Sequence, residues 1–147
     1  MPTTLLELPV AAKYLFGVLN VAAVQAVFST RIYRGSLAPQ GTALPYLLFF
    51  QQAASDDYVL PADWQGTDVT YFVKGVAGAA QYLTHLLPGM TAVSAALYAK
   101  VRVPTTQDGQ SVTLLGSDDP REYEEITSGG AVVVHTGRAW QLAIEPV

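Results

Sequence analysis

The sequence predicts an α+β fold: a mainly antiparallel β-sheet with two or more helices packed on one face, in a single domain over residues 1–147. Three observations predict it. Apolar residues recur at helical spacing near the N-terminus and again between Tyr82 and Leu97. Three strand-like runs lie between those two regions. After Val103 the chain reads as short β segments separated by turn residues.

The elements follow in order. Pro9 suits the first turn of a helix, where its missing N–H costs nothing. Leu8, Ala12, Leu15, Phe16 and Leu19 form the apolar stripe of that helix. Asn20 is placed to cap a second short helix from Val21 to about Val27. "TRIYRG" reads as a strand that stops at Gly35, and "SLAPQGTAL" as a turn-rich loop. Pro45 heads the next strand, where the first residue need not donate to the ladder. The run Tyr46-Leu47-Leu48-Phe49-Phe50 does not alternate, so both of its faces call for cover. One face can be covered by the chain's helices, the other by a later strand pair or a neighbouring subunit.

"ASDDYVLPADWQGTD" is expected to be a polar connection, and "VTYFVKGVAG" a third strand. Tyr82, Leu83, Leu86, Met90, Val93 and Leu97 share a helical stripe that Pro88-Gly89 interrupts, by a kink or by the meeting of two helices. "VPTTQDGQ" reads as a breaker. "SVTLLG", "REYEEIT", "GAVVVH" and "RAWQLAIE" follow as strands, with hairpin turns expected at Ser128–Gly130 and at Thr136-Gly137.

Composition narrows the function. The 147 residues suit one core. Half of them are hydrophobic and 14% are charged, against about 25% charged in typical soluble domains. So apolar a chain points to subunit contacts. A net charge of −4, with Lys and Arg scattered, argues against nucleic-acid binding. The absence of cysteine excludes disulfides, thiolate metal sites and cysteine nucleophiles. The N-terminus lacks the cationic start of a signal peptide, and Glu7, Pro9, Lys13, Asn20 and Gln25 interrupt the apolar run, so no membrane span is expected.

No motif names a reaction. His85 has no second ligand one turn away, and His135 has no evident nucleophile, so both read as structural. "SDDPREYEE" lacks calcium-loop spacing and reads as a solvated strand edge. "GVAGAAQ" lacks the rest of a phosphate-binding loop. No cofactor, metal or catalytic residue is expected. The eight tyrosines fit either interfaces or ordinary core edges.

One pattern is more specific. Arg31-Ile32-Tyr33, a short gap, Ala38-Pro39-Gln40-Gly41, and Pro45-Tyr46 leading an apolar strand resemble the tail terminator or tail-completion proteins of tailed bacteriophages and prophages. The order of "VTYFVKGV", a helix ending "AVSAALYA" and "HTGRAWQLAIE" is similar too. The Pro88-Gly89 break and the acidity of "SDDPREYEE" depart from the pattern. The resemblance implies a structural virion protein without enzyme activity. It implies a six-fold homo-oligomeric ring at the head-proximal end of the tail, in contact with the tail tube protein and with neck or head-completion proteins. It also implies assembly in the host cytoplasm. Arg31, Tyr33, Pro39, Gln40, Gly41, Pro45 and Tyr46 are the motif and candidate subunit-contact residues. Asp118, Asp119 and Glu122 are candidate lumen or inter-subunit acids, since like charge toward passing DNA prevents sticking. The alternatives are another neck or minor tail protein of related fold, or a small-ligand domain with an aromatic-lined pocket.

Overall fold

The computed structural model describes the backbone of residues 4–59 and 63–147, and the side chains of residues 9–56 and 65–147. Helix α1 spans Thr4–Leu19 and α2 spans Ala22–Phe28. Val10, Ala11, Tyr14, Leu15, Val18 and Leu19 recur three or four apart and are all buried. The valines and leucines among them contribute about 1.5–3 kcal/mol each on burial. Phe16, expected on this stripe, is 44% exposed, with its ring centre 6.4 Å from that of Phe49.

Two terminal signals act differently from expectation. Pro9 lies inside α1 rather than in its first turn, because helix already precedes it from Thr4. Val21 rather than Asn20 precedes α2, and it provides no side-chain cap. Asn20 instead accepts a 2.5 Å hydrogen bond from the Gln25 side chain.

Strand β1 is Ile32–Arg34, β2 is Tyr46–Val59 and β3 is Asp63–Gly78. The expected polar connection is largely the outer half of the β2–β3 hairpin. Its residues 60–62 lie outside the described residues. The outer half lost its strand signature because β3 before Thr67 pairs only with β2, so no core imposes apolar alternation there.

Gly78 leads through a 3₁₀ turn (Ala79–Gln81) and a wider π-type turn (Tyr82–Leu86) into α3, Leu87–Tyr98. The interruption at Pro88-Gly89 is thus a change of helix type. Pro88 sits in the first turn of α3, where no donor is missed.

Strands β4 (Thr105–Gln107) and β5 (Gln110–Ser117) form a hairpin where a breaker was expected. Asp108 and Gly109 turn it with φ of 50° and 77°, the left-handed pair a two-residue hairpin demands. Strand β6 is Arg121–Ile126, and β7 is Val132–Pro146. The Ser128–Gly130 turn falls between β6 and β7. Thr136-Gly137 is not a turn: β7 runs straight through it. A Cβ on Gly137 would lie 2.7 Å from Lys74 Cβ and 2.8 Å from Lys74 Cα, so this glycine marks where β3 passes close.

The seven-stranded sheet is ordered β1-β2-β3-β7-β5-β4, with β6 also on β7. All strand pairs are antiparallel except β1 with β2. One edge of β7 is shared out: β5 takes Trp140 to Pro146, and β6 takes Val132 to Gly137. The helices cover one face, where Leu47, Phe49, Tyr71, Val73, Trp140 and Leu142 join the helix residues in one core. Among the described residues no single helix is long and apolar enough to cross a membrane.

Candidate functional site

Residues opposite one another in a ladder share a face, which assigns the helix-free side. Leu48 faces Lys74, Phe50 faces Phe72, Val76 faces His135, and Tyr123 faces His135. Among the described residues none of these belongs to the helix-side core, yet Leu48, Phe72, Lys74, Val76 and His135 are all under 9% exposed. Long side chains supply cover. The Lys74 stem passes Phe50, with Nζ 5.8 Å from its ring centre, and donates a 2.8 Å hydrogen bond to the Tyr123 hydroxyl. Arg121 lies 5.8 Å from the Phe72 ring centre. Tyr123 stacks on His135, ring centres 4.3 Å apart and planes within 10°. Cover of the second face of the Tyr46–Phe50 run thus includes groups from the later strand β6.

This face carries charge in little water. Among the described residues Lys74 pairs with no carboxylate, and Tyr123 is its hydrogen-bond partner. His135 Nε2 lies 2.8 Å from Glu125, while its buried Nδ1 has no partner among the described residues. Burial holds the His135 pKa below its usual value. The Glu125 hydrogen bond opposes that shift and Lys74 adds to it. The Tyr46 phenol is pushed up by burial first, then by Glu125 and Tyr123.

The motif residues cluster at one corner. Arg31 and Tyr33 are half-buried at β1, and Arg31 Nε donates to the Pro45 carbonyl at 2.8 Å. Pro45 is buried, follows a cis peptide bond and immediately precedes β2, whose first residue is Tyr46. Pro39, Gln40 and Gly41 are exposed in the connecting loop, where Thr42 hydrogen-bonds back to the Pro39 carbonyl. That loop returns the chain to the start of a parallel neighbour, a task requiring about a dozen residues rather than a tight turn.

The acidic segment lies at the opposite end of the sheet and its members differ. Asp118 is committed to the fold: its carboxylate accepts from Arg121 at 2.7 Å and from the Ala139 backbone at 2.9 Å. Asp119 is exposed. Glu122 is exposed on β6 and accepts a hydrogen bond from Tyr82, whose phenol it pushes up. All six residues of β6 are exposed. The structure therefore keeps the two groups of candidate residues apart, at β1 and at β6. The buried pair Lys74 and His135 was not singled out as a unit, because its members are far apart in sequence and meet only through the β3–β7 ladder.

Surface hollows are open and mostly apolar. One of about 480 Å³ lies between α1, the end of α3 and β4, and its lining includes Lys13, Tyr14, Gly17, Ala96 and Lys100. Another, of about 280 Å³, is lined by Met90, Thr91, Pro120 and Arg138 among others. A third, of about 380 Å³, has Phe16 and Phe49 in its lining, the kind of wall that the aromatic-lined pocket of the ligand-binding alternative calls for. Among the described residues no three His, Asp or Glu side chains are grouped to hold a metal.

No family model matches the chain. No curated protein matches it either. Among solved structures, the fold is similar to that of a chain in the virion of a native gene transfer agent particle. That match has a TM-score of 0.61 at 15% identity, over 89% of this chain and 91% of the other.

Proposed function

We propose that this chain is a structural virion protein of a phage-like particle, of the tail terminator type. It caps the head-proximal end of the tail tube, stops tube polymerisation and presents a surface to neck or head-completion proteins. It acts as a homo-oligomeric ring of six-fold symmetry and needs no cofactor. The observation that carries this reading is the fold shared along nearly the whole of both chains with a component of a gene transfer agent virion. The motif from Arg31 to Tyr46 supports the finer assignment, as do the apolar composition and the shortage of charge. Asp119 and the acidic edge of β6 suit a lumen or a subunit boundary, where they would repel passing DNA or meet a neighbour's arginine.

Electron microscopy of particles made without this protein tests the reading. Over-long tails, or tails that never join heads, are expected. Tails of normal fixed length that still join heads would refute it.

A further inference from the structure

Resting on the ring reading, we propose the seam by which copies join. The outer edge of β6 in one copy adds to the outer edge of β1 in the next, as an antiparallel ladder. Arg31 stands opposite Glu125 of the next copy, Tyr33 opposite Tyr123, and Arg34 opposite Glu122.

Both strands end the same level of the sheet. The β7 residues that hold β6 also pair with the end of β3, which pairs with the start of β2, which holds β1. At that level the order is β1-β2-β3-β7-β6. Strand β1 is parallel to β2, and each later step reverses direction, so β6 runs opposite to β1. Copies set side by side therefore meet as an antiparallel pair, the more stable kind.

Backbone polarity agrees. The Arg31 carbonyl and the Gly35 N–H point inward to β2, so Ile32 and Arg34, one residue out of phase, turn theirs outward. The Thr127 N–H bonds Ala131 across the β6–β7 turn, which makes Arg121, Tyr123 and Glu125 inward-bonding and leaves Glu122 and Glu124 pointing outward. The faces agree as well. Ile32 and Arg34 lie on the helix side with Glu122 and Glu124, while Arg31 and Tyr33 lie on the other side with Tyr123 and Glu125. These conditions allow only registers two residues apart, and the one stated sets both arginines against glutamates.

A second copy is the occupant that the charge selects. Residues 31–34 carry two arginines and no acid, whereas β6 carries three glutamates, and its one arginine is tied to Asp118. Natural sheets guard an open strand edge, and these two edges are complementary to each other. The contact joins different patches, so it propagates around a ring rather than closing a two-fold dimer.

Because the chain has no cysteine, Arg34→Cys combined with Glu122→Cys reads the seam directly. The Cα atoms of such a pair stand about 5.5 Å apart, within disulfide reach. Oxidation should give a ladder of linked multimers, in concentrated protein or in protein recovered from assembled tails. Arg34→Cys with Glu125→Cys, on opposite faces, should not. Arg34→Glu should weaken self-association about tenfold or more, and Glu122→Arg in the same chain should restore it. Multimers by light scattering without a ladder, or a monomer without a ladder in both settings, would overturn the seam. Equal ladders from both cysteine pairs would overturn its register. Normal tails without the protein would overturn the tail reading instead, whatever the cysteines report.

Discussion

Replacing Gly137 by alanine tests the sheet at its tightest point. The added methyl would stand 2.7 Å from Lys74 Cβ and 2.8 Å from Lys74 Cα, on two adjacent central strands. Ordinary carbon contacts need about 3.5 Å or more. Strands β3 and β7 must therefore separate by most of an ångström, across a ladder that runs from Thr67 to Gly78. Inserting a methylene into a packed core costs about 1–3 kcal/mol. Here the obstacle is backbone, which cannot swing aside, so the upper end applies: about 3 kcal/mol. For a chain of this size each kcal/mol lowers Tm by about 2–4 °C, which predicts a fall of about 6–12 °C in a thermal melt followed by circular dichroism. Gly17→Ala is the internal control. That glycine lies in α1 with nothing within 4 Å of an added Cβ, so alanine should raise stability by up to about 1 kcal/mol through helix propensity alone. A Gly137→Ala protein melting within about 2 °C of the parent would refute the close approach.

Other outcomes are specific. His135 is held below its usual pKa by burial, with Glu125 opposing and Lys74 assisting. The native state therefore resists protonation. The stability His135 contributes is complete above the unfolded value near 6.5 and is lost as pH falls below it. Between pH 7.5 and 5.5 the parent should lose more Tm than His135→Gln, and equal losses would contradict the burial argument. Lys74 and Tyr123 should respond unequally. Tyr123→Phe keeps the stack on His135 but strips the buried ammonium of its hydrogen bond, costing about 1–2 kcal/mol in a urea titration. Lys74→Met removes the charge at similar volume and should be close to neutral; the reverse ranking would count against a desolvated amine.

The sequence made the helices and the inner strands legible because a core imposes period. Leu15 and Leu19 stand one helical turn apart, as do Val93 and Leu97, and the Tyr46–Phe50 run announced cover on both faces. Where no core lies beneath, the signal failed. The outer hairpin, residues 56–59 paired with 63–67, is strand and read as a polar connection. Two glycine-bearing pairs were exchanged. Asp108-Gly109 is a genuine hairpin turn that read as a breaker, while Thr136-Gly137 read as a turn and is strand. A dipeptide reports that glycine is needed, not whether a turn or a close neighbour needs it. For the candidate site, the residues were legible as types, but their separation to opposite ends of one sheet level depends on strand order. Nothing local encodes that order.

The Pro39-Gln40-Gly41 loop gains its meaning from direction. By carrying the chain back so that β1 lies parallel to β2, it sets the polarity of the sheet's last strand. A tight hairpin there would have reversed β1 and made both outer strands of that level run the same way. A neighbour could then join only by parallel pairing, with every arginine facing a different partner. On the proposed seam, this loop would thus set which way the next copy points.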